Sequence, residues 1–260
     1  MQFSELLKSL TGEPGISVLE DPQDWLQGRA MFGGLQTVVC LHAMRSLIPK
    51  TPLRSLQTTF VQPARSSRVT ARASLLREGK NVSHLEARLQ DDEGNLVALV
   101  TGVFGVARQS QVEIAPLQPA VGHGKALVMP DSPKAPRFTR HFDARWLVGK
   151  LPFMGDDSLA NVLELSMPGE KYCTEYHVVA LADYIPPVAL SHLRKPAMGS
   201  SVTWMLEFLS HEYRGLSLQH WRLDAELMAA EEGYTHQSIM LWSPDSKPIA
   251  LSRQNMVIFG

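Results

Sequence analysis

The residue pattern predicts an α+β chain in which one plan is written twice, and three observations carry that expectation. A helix-like segment followed by strand-like segments occurs in each half of the 260 residues. A stretch with little periodicity, containing Pro116, Pro119, Pro130, Pro133 and Pro136, separates the halves. A gapless alignment of the two closing hairpins lays Ser83-His84 on Thr235-His236, Leu89 on Leu241 and Ala98-Leu99 on Ala250-Leu251. An internal duplication is the economical account. The boundaries that follow are residues 1–106 for the N-terminal repeat, 107–140 for a proline-rich linker and 141–260 for the C-terminal repeat.

Residues 1–30 read as a short helix from Ser4 to Leu10 and then a polar segment ending at Trp25-Leu26-Gln27-Gly28-Arg29. Met31-Phe32-Gly33-Gly34 opens a long helix through about Leu47, with an apolar stripe of Leu35, Val38, Val39, Leu41, Met44 and Ile48, and Pro49 stops it. Paired glycines at a helix start allow close approach of a backbone or a ligand, and the amides there suit an oxyanion or phosphate. A tight turn explains them equally well. Alternation then predicts strands over Ser55–Gln62, Arg68–Arg77, Val82–Gln90 and Leu96–Val106, with a hairpin turn at Asp91-Asp92-Glu93-Gly94-Asn95. Within the linker, Gly122-His123-Gly124-Lys125 is not a phosphate loop: Pro119 stands where the first glycine belongs, and Ala126 replaces the Ser or Thr.

In the second half, strand-like Arg145–Val148 and Asn161–Leu165 precede a helical run marked by Tyr176, Val179, Ala180 and Tyr184. Strand-like Ser201–Leu209, Leu216–Leu227, Tyr234–Trp242 and Ile249–Phe259 follow, with a turn at Ser243-Pro244-Asp245-Ser246. Asp183 is the acid in the last turns of the helical run, directly before Pro186-Pro187. The helix dipole disfavours an acid at a C-terminus. Asp183 therefore either faces water or serves as a catalytic carboxylate.

Composition excludes several classes. Hydrophobic residues make up 44% and charged residues 20%, as in a globular domain. The formal net charge of −1 supplies no field for nucleic acid or an anionic membrane. No window approaches the roughly 18 apolar residues of a membrane span, and Met1-Gln2-Phe3-Ser4-Glu5 lacks the character of a signal peptide. Cys40 and Cys173 lie in apolar segments, as buried free thiols in a reducing compartment would. A cytoplasmic protein is expected. No His pair has metal-ligand helical spacing and no Cys/His cluster occurs, so no metal is expected. No Gly-x-Ser-x-Gly elbow occurs, against an α/β-hydrolase route. His84 and His236 occupy matching strand positions, and a structural role is the simpler reading of both.

Four segments carry a family resemblance: Phe32-Gly33-Gly34-Leu35-Gln36, Arg54 to Pro63 (RSLQTTFVQP), Arg77-Glu78-Gly79-Lys80-Asn81 and Ala182-Asp183. In order and spacing they resemble the bacterial acyl-CoA thioesterase II family across nearly the whole chain, less the linker. The resemblance implies a tandem (double) hotdog, each repeat a long helix wrapped by a curved antiparallel sheet. It also implies hydrolysis of acyl-CoA to free fatty acid and CoA, in lipid metabolism, without a cofactor. In that family an Asp at the end of the second helix works with a Thr or Ser hydroxyl and a Gln amide on the hydrolytic water. The matching positions are Asp183, Ser201 and Gln254, with Ser200 and Thr203 as alternatives for the hydroxyl if the register differs. Gly33 and Gly34 are the expected substrate-binding pair, through helix-start amides that polarise the thioester carbonyl.

The chemistry is sound on its own terms. A thioester carbonyl is already activated, a carboxylate takes a proton from water, and a hydroxyl and an amide fix the water's geometry. In the gapless register Gln254 falls on Gly102, so the first repeat lacks the polar set and one active site per chain is expected. Two rivals remain: a hotdog enoyl-CoA hydratase, whose Asp would need a His, with His192 the nearest candidate, and a non-catalytic acyl-CoA binding module. The expected partner is the acyl-CoA substrate, without nucleic acid or membrane. The expected assembly is a homo-oligomer, a dimer of double hotdogs, because exposed strand edges commonly pair with another copy.

Overall fold

The computed structural model describes residues 1–65, 67–122, 124–130, 132 and 135–259; His123 of the rejected phosphate loop and Pro133 lie outside them. The chain forms two compact units: Met1–Ile114 with Pro136–His141, and Ala115–Ala135 with Phe142 onward.

The first unit opens with helix α1 (Phe3–Ser9), strand β1 (Ile16–Glu20) and the short pair β2 (Leu26–Gln27) and β3 (Ala30–Met31). Helix α2 (Gly33–Leu47) follows, then β4 (Leu53–Phe60), β5 (Arg68–Glu78), β6 (Val82–Asp91) and β7 (Leu96–Gly105). The sheet runs β1-β5-β6-β7-β4, antiparallel throughout. Sequence periodicity suggests a stripe on α2, yet twelve of its fifteen residues are buried. It is a core helix, apolar nearly all round. Arg45 closes its C-terminal end: the guanidinium donates to the carbonyls of Ile48 (2.9 Å) and Thr51 (2.6 Å) and stands 4.7 Å from the Phe104 ring centre. A cation there answers the orphan carbonyls and the dipole. The 3-10 turn Arg137–His141 brings two rings onto this unit, Phe138 stacking on Phe32 at 4.2 Å and His141 on Trp25 at 4.1 Å.

The second unit contains β8 (Leu127–Val128), β9 (Asp143–Val148), β10 (Ala160–Ser166), α3 (Glu175–Ala182), α4 (Ala189–His192), β11 (Met198–Phe208), β12 (Trp221–Glu231), β13 (Tyr234–Trp242) and β14 (Pro248–Phe259). Its strands run β11-β14-β13-β12-β10-β9-β8. Helix α3 is likewise buried from His177 to Ala182. Its start is fixed by His177, whose Nδ1 accepts the Thr174 backbone N–H at 3.2 Å while its Nε2 lies 3.2 Å from the Glu170 carboxylate.

The strand registers of the two units correspond position by position. Gly102 of β7 pairs with Leu56 of β4 and Leu85 of β6; Gln254 of β14 pairs with Trp204 of β11 and Gln237 of β13. The irregularities match as well. The β4–β7 register shifts between Leu53 and Ser55, and the β11–β14 register between Ser201 and Thr203. The β5–β6 ladder shifts between Leu75 and Arg77, and the β12–β13 ladder between Leu227 and Ala229. Each such bulge bends its strand. His84 and His236 sit beside the second pair of bulges, exposed in both copies.

Two segments differ from expectation. The strand expected over Leu216–Leu227 begins only at Trp221, because the preceding backbone is engaged elsewhere. Leu216 and Leu218 carbonyls accept Cys173 N–H (2.8 Å) and Met167 N–H (2.9 Å), and Ser217 accepts the Trp221 indole (2.9 Å). Strand β1 was hidden in a polar N-terminal stretch, where Ser17 and Leu19 alone turn inward among Gly, Pro and acidic neighbours. Both cysteines are free and buried, and burial pushes both thiols up.

One glycine holds the exit from β9. Gly149 has φ +76°, and a Cβ there would stand 1.8 Å from Asn161 Oδ1 and 2.7 Å from the Ala160 carbonyl. Gly149→Ala should therefore cost about 2 kcal/mol or more, seen as a lower urea midpoint at unchanged m-value.

Candidate active site

Helix α3 ends where the chain chemistry dictates. Tyr184 N–H still reaches the Leu181 carbonyl (3.2 Å), and Asp183 is the C-cap at φ −97°, ψ 0°. Pro186 and Pro187 then bar further helix, and α4 begins beyond them. Asp183 does not face water: it is only 9% exposed. A carboxylate so placed needs a donor, and a helix C-terminus offers carbonyls.

The donor comes from the sheet. Alternation along β14 turns Ser252, Gln254 and Met256 inward and Arg253 outward. Gln254, 4% exposed, donates from Nε2 to Asp183 Oδ1 at 2.5 Å. Its Oε1 accepts from Gln237 Nε2 at 2.9 Å, and Gln237 Oε1 accepts the Val188 backbone N–H at 2.9 Å. The polarity of this chain is fixed at both ends. A backbone N–H only donates and a carboxylate only accepts, so each amide has one orientation that satisfies both neighbours. The prolines contribute here too, since Val188 is the first residue after them that carries an N–H.

Ser201 stands apart from this chain of bonds. It is half-buried in β11 opposite Met256, and by register it lies on the face that carries Gln254, at a diagonal position where spacing is about 7–8 Å. Its hydroxyl is not hydrogen-bonded to Asp183 or Gln254. Thr203 pairs with Asn255 and shares the opposite face; Ser200 is exposed and its hydroxyl donates to the Ser201 carbonyl at 3.4 Å. The neighbouring Trp204 is held by its indole N–H on Ser252 Oγ at 2.7 Å. Gly33 and Gly34 form the buried first turn of α2 in the first unit, where four amides lack intrahelical partners.

Gln237 escaped the sequence reading. Its signal was present: an inward-turning amide in an alternating strand whose duplicate position, Leu85, is apolar. The positions of Ser201, Gln254 and Gln237 are Leu53, Gly102 and Leu85 in the first copy, all apolar. A side chain at Gly102 would meet Met44 Sδ at 2.8 Å and Phe104 at 3.0 Å, so the helix itself fills that space. Among the described residues, no group of three or more His, Cys, Asp or Glu could hold a metal ion. No helix among them is long and apolar enough to cross a membrane.

This geometry separates two substitutions. Asp183→Asn keeps an oxygen that accepts from Gln254 and should leave stability within about 1 kcal/mol; Asp183→Ala orphans a buried donor and should cost about 1–3 kcal/mol. Chemical denaturation of the two variants side by side measures the difference.

Similarity to known proteins bears on the whole chain. The acyl-CoA thioesterase N-terminal domain profile matches residues 21–105, and the acyl-CoA thioesterase C-terminal domain profile matches residues 119–258. Among solved structures, a protein with a hot dog fold from Alicyclobacillus acidocaldarius is similar at a TM-score of 0.86 and 18% identity, over 100% of this chain and 99% of that one. The TesB protein of Mycobacterium avium subspecies paratuberculosis follows at 0.77 and 16%, over 100% of both chains. An acyl-CoA thioesterase II from Mycobacterium marinum reaches 0.73 and 15%, over 98% of this chain and 96% of that one. No curated protein matches. At these identities the structural likeness establishes the hotdog fold, and the two domain profiles establish more: the chain belongs to the acyl-CoA thioesterase family, carrying its N-terminal and C-terminal domains in sequence order.

Proposed function

We propose that the protein is a tandem hotdog enzyme that hydrolyses acyl-CoA to a free acid and CoA, with Asp183, Gln254 and Ser201 acting on the attacking water. The observation that carries this reading is the buried hydrogen bond from Gln254 Nε2 to Asp183 Oδ1, at a helix end that offers the acid no structural reward. Asp183 takes a proton as the water oxygen adds to the thioester carbonyl. Collapse of the tetrahedral adduct breaks the C–S bond, and the proton returns to the departing thiolate. Gln254 fixes the carboxylate, and Ser201, on the same sheet face, supplies the hydroxyl that orients the water. To the helix-start amides of Gly33 and Gly34 we assign the substrate-binding role. No step requires a cofactor.

The shared face supports Ser201 over Thr203, and exposure argues against Ser200. The loss of all three polar positions from the first copy supports a single site per chain. Self-association into a dimer belongs to the same reading, and sedimentation velocity at micromolar concentrations should show it.

The test is release of free thiol from a straight-chain acyl-CoA series by the purified protein. Turnover on part of the series is expected. Asp183→Asn should lower kcat by about 10²–10⁴, since an amide cannot take the proton. Gln254→Ala and Ser201→Ala should each cost less, about 10–100-fold, because positioning is lost while the base remains. Hydration of an enoyl-CoA without thiol release would instead favour a hydratase, and acyl-CoA binding without turnover a carrier.

A further inference from the structure

Gln237 touches neither the proposed water nor the acid, yet it occupies a decisive place. We propose that it is a positioning residue for hydrolysis, locking the Gln254 amide so that its carbonyl never competes for the proton that Asp183 acquires. This rests on the Asp183–Gln254 reading above and adds a requirement to it.

While Asp183 is a carboxylate, its charge alone turns the Gln254 N–H toward it. Once Asp183 has taken a proton from water, that preference lapses. A neutral acid both donates and accepts, and a free amide could flip to offer Oε1 to the new O–H. The proton on Asp183 would then be engaged in a hydrogen bond to Gln254 Oε1 instead of being handed to the thiolate. Gln237 removes that option, because its Nε2 occupies Gln254 Oε1 at 2.9 Å. Gln237 cannot itself turn, because its Oε1 is engaged at 2.9 Å by the Val188 N–H, a donor fixed in the backbone beyond the two prolines. All members are buried: Gln237 is 2% and Gln254 4% exposed, so water does not substitute readily for either bond. The register neighbours of Gln237 on this face are Leu227, Thr235, Ile239 and Gln254, none of them titratable; Asp183 is the charged group hydrogen-bonded to the pair. The first copy, with Leu85 at the corresponding place, shows that the sheet itself does not need an amide there.

Two variants test this with the full chain and an acyl-CoA that the wild type turns over. Gln237→Leu copies the apolar residue of the first unit; kcat should fall about tenfold while KM stays within about twofold, with a melting temperature a few degrees lower because the Val188 N–H and Gln254 Oε1 lose their partners. Gln237→Glu gives the sharper readout. A neutral Glu can accept from Val188 and donate to Gln254, whereas an ionised Glu only accepts and would pull the Gln254 N–H away from Asp183. Its kcat relative to wild type should therefore fall as pH rises from about 5 to 8, while the same ratio for Gln237→Leu stays flat. Gln254→Ala is run alongside. Impairment of Gln254→Ala with normal kcat in both Gln237 variants overturns this inference alone. Full activity of Gln254→Ala overturns it together with the site on which it rests. A pH-independent loss in Gln237→Glu assigns the residue to packing and overturns positioning. Should Gln237→Leu fail to fold, the pH dependence of the Gln237→Glu ratio decides.

Discussion

A buried carboxylate at the wrong end of a helix is the constraint from which the second unit's inner surface follows. Asp183 sits at the carbonyl-rich last turn of α3, where the dipole opposes it. The sheet beneath supplies a donor from Gln254, on inward rows of β13 and β14 that also carry buried Thr235 and Ser252. One amide inside the core would leave its own carbonyl unsatisfied, which is costly. A second amide answers the first, and a backbone N–H answers the second. The three bonds thus join the carboxylate to a backbone N–H through two amides, each used at both of its ends.

Much of the architecture was legible in the sequence. Alternation located β4 to β7 and β11, β13 and β14 because those strands have one buried and one solvated face. The proline pair marked the end of α3 because Pro186 and Pro187 cannot continue a helix. Burial of the helices was less legible. Apolar residues are so dense in α2 and α3 that periodicity hints at a stripe while the helices are in fact enclosed. Strand β1 was missed because two inward residues are too few to make a pattern.

The candidate site divides in the same way. Asp183 and Gln254 are far apart in sequence, and only a resemblance brought them together before the hydrogen bond was seen. Gln237 was invisible to motif reasoning because no local spacing links it to either residue; its partners are the adjacent strand and a backbone N–H that follows two prolines. Ser201 depended on register, and the bulge at Val202 decides which neighbouring hydroxyl shares the face of Gln254. A one-residue slip in a strand exchanges inside for outside, so such assignments need the ladder itself.

The divergence of the two copies also has a directional character. In the first copy Gly102 is closed over by Met44 and Phe104, flanked by Leu56 and Leu85. A lone glutamine introduced there would meet the sulfur of Met44 and the rings and methyls of Phe104 and Leu56 before any polar group. A lone acid on α2 would be buried against the same apolar wall. A single polar side chain placed against that wall would lose its hydration without gaining a partner, which is costly. The difference between the two units is therefore kept by packing in the first as well as by hydrogen bonding in the second.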